Sequence, residues 1–186
     1  MSLFLAVPGV AQAATVTTTA DSGAGSLRDA IANASDGQTI DFAPALNGQT
    51  ITLTTGGLLV THSLTISGPG AGNLTINGGN NGSVFEVVIP AAMPPASTSA
   101  TISGLTITGG NVRDGGGGGI SAVTVDTVTL TGDTISGNQA PIRTNFESGG
   151  GGVNINGGKL VISNSTISNN GVTFNADARN SGGGGV

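Results

Sequence analysis

The chain has no cysteine, no tryptophan and no tyrosine, and its 186 residues include only five lysines and arginines. Without thiols there is no disulfide framework and no zinc–thiolate site. Five scattered basic residues against ten acidic ones, a net charge of −5, cannot neutralise a phosphate backbone, so no nucleic-acid partner is expected. No run approaches the ~18 apolar residues of a membrane-spanning helix, so no transmembrane segment is expected either. Charged residues make up 8% of the chain and glycines number 34, a composition that low-complexity linkers share. Linkers lack apolar periodicity, however, and here Val, Ile and Leu recur in phase.

That phase is set by glycine. Gly-Gly-Gly-Gly followed by a β-branched residue occurs three times, ending at Ile120, Val153 and Val186, with both spacings 33 residues. A fixed period of this size marks a stacked repeat, in which each unit is too small to bury its own apolar face. Leu74-Thr75-Ile76-Asn77-Gly78-Gly79-Asn80 reappears as Leu105-Thr106-Ile107-Thr108-Gly109-Gly110-Asn111, and more loosely as Asp133 to Asn138 and Ser165 to Asn170. One isoleucine thus recurs as Ile76, Ile107, Ile135 and Ile167. Beside it run the alternating pairs Ala100/Ile102, Val128/Leu130 and Leu160/Ile162, which is strand periodicity.

Within one unit, Val153 to Ile155, Leu160 to Ile162 and Thr166 to Ser168 are three short strands separated by turn residues, the make-up of one triangular turn of a parallel β-helix. Such a turn needs roughly 20 to 25 residues, so about 11 of each period are left over. They fall between the third strand and the next glycine run, as loops at Gly109 to Gly115, Gln139 to Ser148 and Gly171 to Ser181. Gly and Asn supply the positive-φ corners such a path requires. Asn138 and Asn170, and similarly Asn80 and Asn111, end equivalent strands. They are either stacked amide ladders or ordinary turn residues.

In chain order, Leu3 to Val10 is apolar and is followed by Ala11-Gln12-Ala13, the small-x-small pattern of a signal-peptidase site. A positive n-region is lacking, and a buried strand is the other reading. Thr15 to Thr19 reads as extended. Ser26 to Ala34 reads as a helix, with Ser26 and Asp29 spaced as a capping box and Leu27, Ala30, Ile31 and Ala34 on one face. A short amphipathic helix there would cover the first unpaired edge of a solenoid. Strands follow near Thr50 to Thr54, Leu58 to Thr61, Ser63 to Ser67, Leu74 to Asn77 and Ser83 to Val88, and the three prolines of Pro90 to Ala100 make that segment a loop.

Thr17-Thr18-Thr19-Ala20-Asp21-Ser22-Gly23-Ala24-Gly25-Ser26-Leu27-Arg28-Asp29-Ala30-Ile31 resembles the CSLREA segment that opens many bacterial right-handed parallel β-helix surface proteins, with Gly25 where the name-giving cysteine would stand. The resemblance continues through Ile40-Asp41-Phe42, Gly48 to Leu53, Leu64 to Ala71 and Val84-Phe85 into the glycine repeats. These are also similar to polymorphic outer-membrane passenger repeats, although the companion Phe-x-x-Asn motif is absent. The resemblance implies a pectin-lyase-like β-helix, secreted or held on the bacterial cell surface, with no assigned activity. The expected fold is therefore all-β, a right-handed parallel β-helix with a short N-terminal capping helix. Its expected layout is a signal peptide at 1–13, a cap at 14–37 with its helix at 26–34, and a β-helix at 38–186 that is incomplete at its C-terminal end.

The repeat half concentrates its charge in the three loops: Arg113 with Asp114, Arg143 with Glu147, and Arg179 with Asp177. Phe146 and Phe174 lie in two of them. Stacking would set these side chains in a row, where aromatic faces, amides and charges suit a sugar ring or a protein partner. The expected function is an exported structural or adhesive module binding surface glycans or proteins through those loops. The alternative is a polysaccharide lyase or hydrolase of the pectin-lyase-like class. Asp126 and Asp133 are its candidate carboxylates, while the acid clusters and the Gly-His-Gly and Arg-x-Lys signatures of polygalacturonases are missing. His62, the single histidine, has no nucleophile elbow nearby and reads as a strand-surface residue. No cofactor is expected, and no metal, because Gly116 to Val125 lacks the aspartate of calcium-binding glycine repeats. Thr-x-Thr pairs at Thr106/Thr108 and Thr129/Thr131 are similar to those of flat ice-binding faces, but in the sequence they do not recur in every unit, and threonine is an ordinary strand residue.

Overall fold

A computed structural model describes residues 13–89, 98–112, 116–140, 149–172 and 185. The signal-peptide segment, apart from Ala13, lies outside the described residues. Along the chain run β1 (Ala14–Val16), α1 (Leu27–Ala32), β2 (Gln38–Phe42), a 3-10 turn (Pro44–Leu46), β3 (Gln49–Thr52), β4 (Leu58–Val60), β5 (Leu64–Ser67) and β6 (Leu74–Asn77). Then come β7 (Phe85–Val88), β8 (Ser99–Ser103), β9 (Thr106–Thr108), β10 (Ile120–Val123), β11 (Thr127–Thr131), β12 (Thr134–Ser136), β13 (Val153–Asn156), β14 (Lys159–Ser163) and β15 (Thr166–Ser168). The protein is all-β with three parallel sheets. The first has the order β1-β2-β5-β8-β11-β14, the second β3-β6-β9-β12-β15 and the third β4-β7-β10-β13. From β2 onward the chain visits first, second and third sheet in strict rotation, and each strand pairs with the strand three places later.

Registers follow the apolar phase read from the sequence. In the second sheet Ile51 pairs with Ile76, Ile76 with Ile107, Ile107 with Ile135 and Ile135 with Ile167, and the first four are fully buried. In the first sheet Leu64 and Ile66 pair with Ala100 and Ile102, these with Val128 and Leu130, and these with Leu160 and Ile162. The third contributes Phe85 against Ile120, then Val153. Parallel pairing puts side chains of equal register directly over one another. Each buried isoleucine contributes about 1.5–3 kcal/mol, and a one-residue slip would expose a whole row.

Two corners are built from residues that tolerate left-handed backbone. Leaving the first sheet, Gly104, Gly132 and Asn164 occupy one register position with φ of 63°, 68° and 51°; leaving the second, Gly109, Gly137 and Asn169 do so with 67°, 68° and 55°. The glycine runs work differently. Gly119 and Gly152 are not left-handed: a Cβ on Gly119 would press on the Gly152 carbonyl and Ile135, and one on Gly152 would press on the Gly185 carbonyl and Asn170. There the requirement is room, so the positive-φ reading applies to the corners and not to Gly119 and Gly152.

The helix spans Leu27–Ala32, shorter than 26–34. Ser26 caps it by accepting from the Asp29 amide, but Asp29 turns its carboxylate to Asn33, so the capping box is one-sided. Leu27 and Ile31 are buried, and α1 packs on β4, the end strand of the third sheet, and on β1. It thereby covers that sheet edge. β1 ends at Val16 and not at Thr19, because the Thr17 and Thr18 amides fold back onto the Gly25 carbonyl. Gly25 has φ of 80°, and a Cβ there would strike Thr17 Oγ1, so the position aligned with the cysteine of the CSLREA segment has no room for one. β2 was not anticipated as a strand, and β8 begins at Ser99, inside the segment read as a proline loop, whose residues 90–97 lie outside the described ones.

Candidate functional site

The corner between the second and third sheets is where the extra residues of each period leave. After β6 the chain turns at Gly79 and Asn80, both left-handed, and enters β7 directly. After β9 and β12 the connections to the next strand are longer, 109–119 and 137–152. The departing segments are stacked: Gly82 bridges Asn111, Asn111 bridges Gln139 and Gln139 bridges Gly171. The Val112 amide donates to Gln139 and the Ala140 amide to Gly171. The returning segments are stacked as well, Gly119 and Ile120 donating to Gly152, and Val153 to Gly185.

Beneath them lies an amide ladder. Asn138, fully buried, accepts from the Gly110 amide at 2.9 Å through Oδ1 and donates through Nδ2 to the Ile107 carbonyl at 3.1 Å and to Asn170 Oδ1 at 3.0 Å. Asn170 donates in turn to the Ile135 carbonyl at 2.9 Å. Of the two readings of Asn138 and Asn170, the ladder is the observed one. Asn80 and Asn111 differ, the first in a left-handed turn and the second in the bridge to Gln139.

At the top of this corner Asn80, Asn81, Gly82, Ser83, Glu86, Asn111 and Val112 line a cleft of about 300 Å³. Asn111 Oδ1 is itself buried and meets no hydrogen-bond partner among the described residues. Glu86 stands outward on β7, at the register position that Ser121 and then Asn154 hold on the next strands. One carboxylate among side-chain amides offers many donors and acceptors with a single charge, a surface suited to a polyhydroxylated ligand. Among the described residues no three His, Asp or Glu side chains converge as a metal would need.

Arg113, Asp114, Arg143, Phe146, Glu147, Phe174, Asp177 and Arg179 all lie outside the described residues. What is described is the stacking of the segments that carry their loops. The cleft itself was missed from sequence. Its signal was Glu86, a lone charge within the apolar run Val84 to Val88.

The candidate carboxylates of the alternative reading are placed differently from each other. Asp133 is 1% exposed at the turn between β11 and β12, with Oδ1 accepting from the Leu105 amide at 2.9 Å and Oδ2 from the Thr131 amide at 3.0 Å. Burial pushes its pKa up to about 6, against the two amides that favour the charged form. It is a structural staple turned inward, not an outward strand residue. Asp126 is exposed and touches Ser99 Oγ at 3.3 Å. His62 is half-buried in the bend after β4, its Nδ1 3.2 Å from Thr61 Oγ1.

Compared with protein-family models, with curated proteins and with solved structures, the chain matches none. Among the described residues no helix is long and apolar enough to cross a membrane.

Proposed function

We propose that the three sheets are the faces of a right-handed parallel β-helix, and that the chain is an exported, surface-exposed structural and adhesive module binding glycan at the corner between the second and third sheets. The observation that carries this reading is the coincidence of two features at one corner: departing segments held in register over successive strands, and a polar cleft lined by Asn80, Asn81, Asn111 and Glu86. Extended polymers engage repeated surfaces at repeated intervals, so each further rung adds contacts at little additional ordering cost. Rotation of the chain through the three sheets supports the helix, and the Leu3 to Ala13 pattern supports export.

Glycan-array binding of the wild-type chain tests it, alongside Glu86→Gln with Asn111→Ala in the cleft and Arg143→Ala with Phe174→Ala in the loops. Selective binding that the cleft pair abolishes is the expected result. Binding that neither pair changes, or no glycan bound at all, removes the proposal.

A further inference from the structure

The second sheet carries a feature that the corner does not use. Thr50 pairs with Thr75, Thr75 with Thr106, Thr106 with Thr134 and Thr134 with Thr166, so one outward position is threonine on all five strands. Two residues along, the next outward rank is Thr52, Asn77 and Thr108, then Ser136 and Ser168. Between the ranks runs the isoleucine row Ile51, Ile76, Ile107, Ile135 and Ile167, which anchors every strand from behind. Of the Thr-x-Thr pairs in the sequence, Thr129/Thr131 falls on the first sheet, while Thr106/Thr108 stacks on the second with Thr50/Thr52 and with the Thr-x-Asn and Thr-x-Ser counterparts.

We propose that this face binds ice. Parallel strands repeat at about 4.8 Å across the sheet, and residues two apart on one strand repeat at about 6.7 Å. Hexagonal ice repeats its oxygens on the prism face at nearly those two distances, so a two-rank hydroxyl array meets the lattice in both directions. Threonine suits this because its branched Cβ stiffens χ1, which holds hydroxyl and methyl in fixed places without further ordering cost on binding. Charge is the second argument. Ice is an uncharged lattice, and an ionised side chain keeps its own hydration shell; the ten outward positions hold only Thr, Ser and Asn in a chain with fifteen Lys, Arg, Asp and Glu residues.

The other sheets do not share this make-up. Outward on the third, Leu59, Glu86, Val88 and Val123 stand among Ser121, Asn154 and Asn156, so bulky apolar side chains and a charge break the polar rank. The first comes nearer, with one rank of Thr39, Thr65, Thr101 and Thr129 and a second of Ser67, Ser103, Thr131 and Ser163, but the next strand puts Val161 in the threonine rank, and Asp41 and Lys159 stand at its outward positions. Thr106 is also held in place by donating its hydroxyl to the Ala71 carbonyl.

The test is freezing hysteresis and crystal shape for the purified chain in a nanolitre osmometer, with circular dichroism and urea midpoints as folding controls. Wild type is expected to hold a crystal without growth below its melting point and to facet it. Thr134→Lys, mid-rank on the second sheet, loses that activity; Thr129→Lys, on the first sheet, keeps it. Should Thr134→Lys fail the folding controls, Thr75→Lys takes its place. Wild type without hysteresis or faceting overturns the proposal. So does retention by a folded second-sheet variant, or loss in Thr129→Lys.

Discussion

Arg28 Nη2 lies 2.6 Å from Asp21 Oδ1 and donates to the Gly56 carbonyl at 2.7 Å, while Nη1 donates to Gly57 at 2.6 Å. The other carboxylate oxygen of Asp21 accepts from the amides and hydroxyls of both Thr54 and Thr55. The pair latches α1 to the turn between β3 and β4. Thus the charged residue of the Ser-Leu-Arg segment secures a connection that lies 28 and 29 residues away. Arg28→Ala should cost about 2–4 kcal/mol, because it removes the counter-charge from Asp21 and the donor from three carbonyls, those of Asp21, Gly56 and Gly57. Urea midpoints check this, and Arg28→Lys, a point charge without the fork, should recover only part of the loss.

Acid should release the same latch. Burial pushes the Asp21 pKa upward, but hydrogen bonds from Arg28, Thr55 and Thr54 outweigh it and hold the carboxyl well below its usual range. A depressed folded pKa gives stability that is fully present above the unfolded value of about 4 and is lost as pH falls toward the folded one. The urea midpoint of wild type should therefore drop below about pH 4 more steeply than that of Asp21→Asn.

Asp133 predicts the opposite slope over a different window. Its folded pKa of about 6 lies above the usual 3.8, so between those values the folded chain holds a proton that the unfolded chain has released. Stability contributed by this group then rises as pH is lowered from 7 toward 4, by on the order of 2–3 kcal/mol. Asp133→Asn should remove that slope while costing about 1–3 kcal/mol near pH 5, since its amide nitrogen faces one of the two backbone N–H donors. Thermal midpoints at pH 7, 6 and 5 decide it; parallel curves for the two proteins would contradict the assignment.

The isoleucine column was legible because its period survives variation in loop length, and the cap because a 3.6-residue apolar face precedes the strands. Neither the latch nor the cleft was, since each joins residues from segments distant in the chain whose alignment depends on strand register. Asn111 illustrates this. By motif it belongs with Asn138, but the pairing of Ile107 with Ile135 aligns Gly110 with Asn138 and Asn111 with Gln139. The threonine ranks were hidden for the same reason: a mixed Thr, Ser and Asn pattern reads as ordinary strand polarity until successive turns are superposed.

Glycines of two kinds make the final prediction. Gly37, with φ of 79° and nothing within 4 Å of an added Cβ, is required only by its backbone angle. Gly119 has an ordinary φ but would bring a Cβ within 2.6 Å of the Gly152 carbonyl and 3.0 Å of Ile135. Gly37→Ala should cost about 1–2 kcal/mol, and Gly37→Asn less, because asparagine tolerates the left-handed region. Gly119→Ala should cost about 2–4 kcal/mol and Gly119→Asn more still, because there each added atom must push a neighbouring strand. Urea midpoints of the four variants separate the two causes by the sign of the Ala-to-Asn step. If asparagine were no better than alanine at position 37, or better than alanine at 119, the division between left-handed glycines and packing glycines would be wrong.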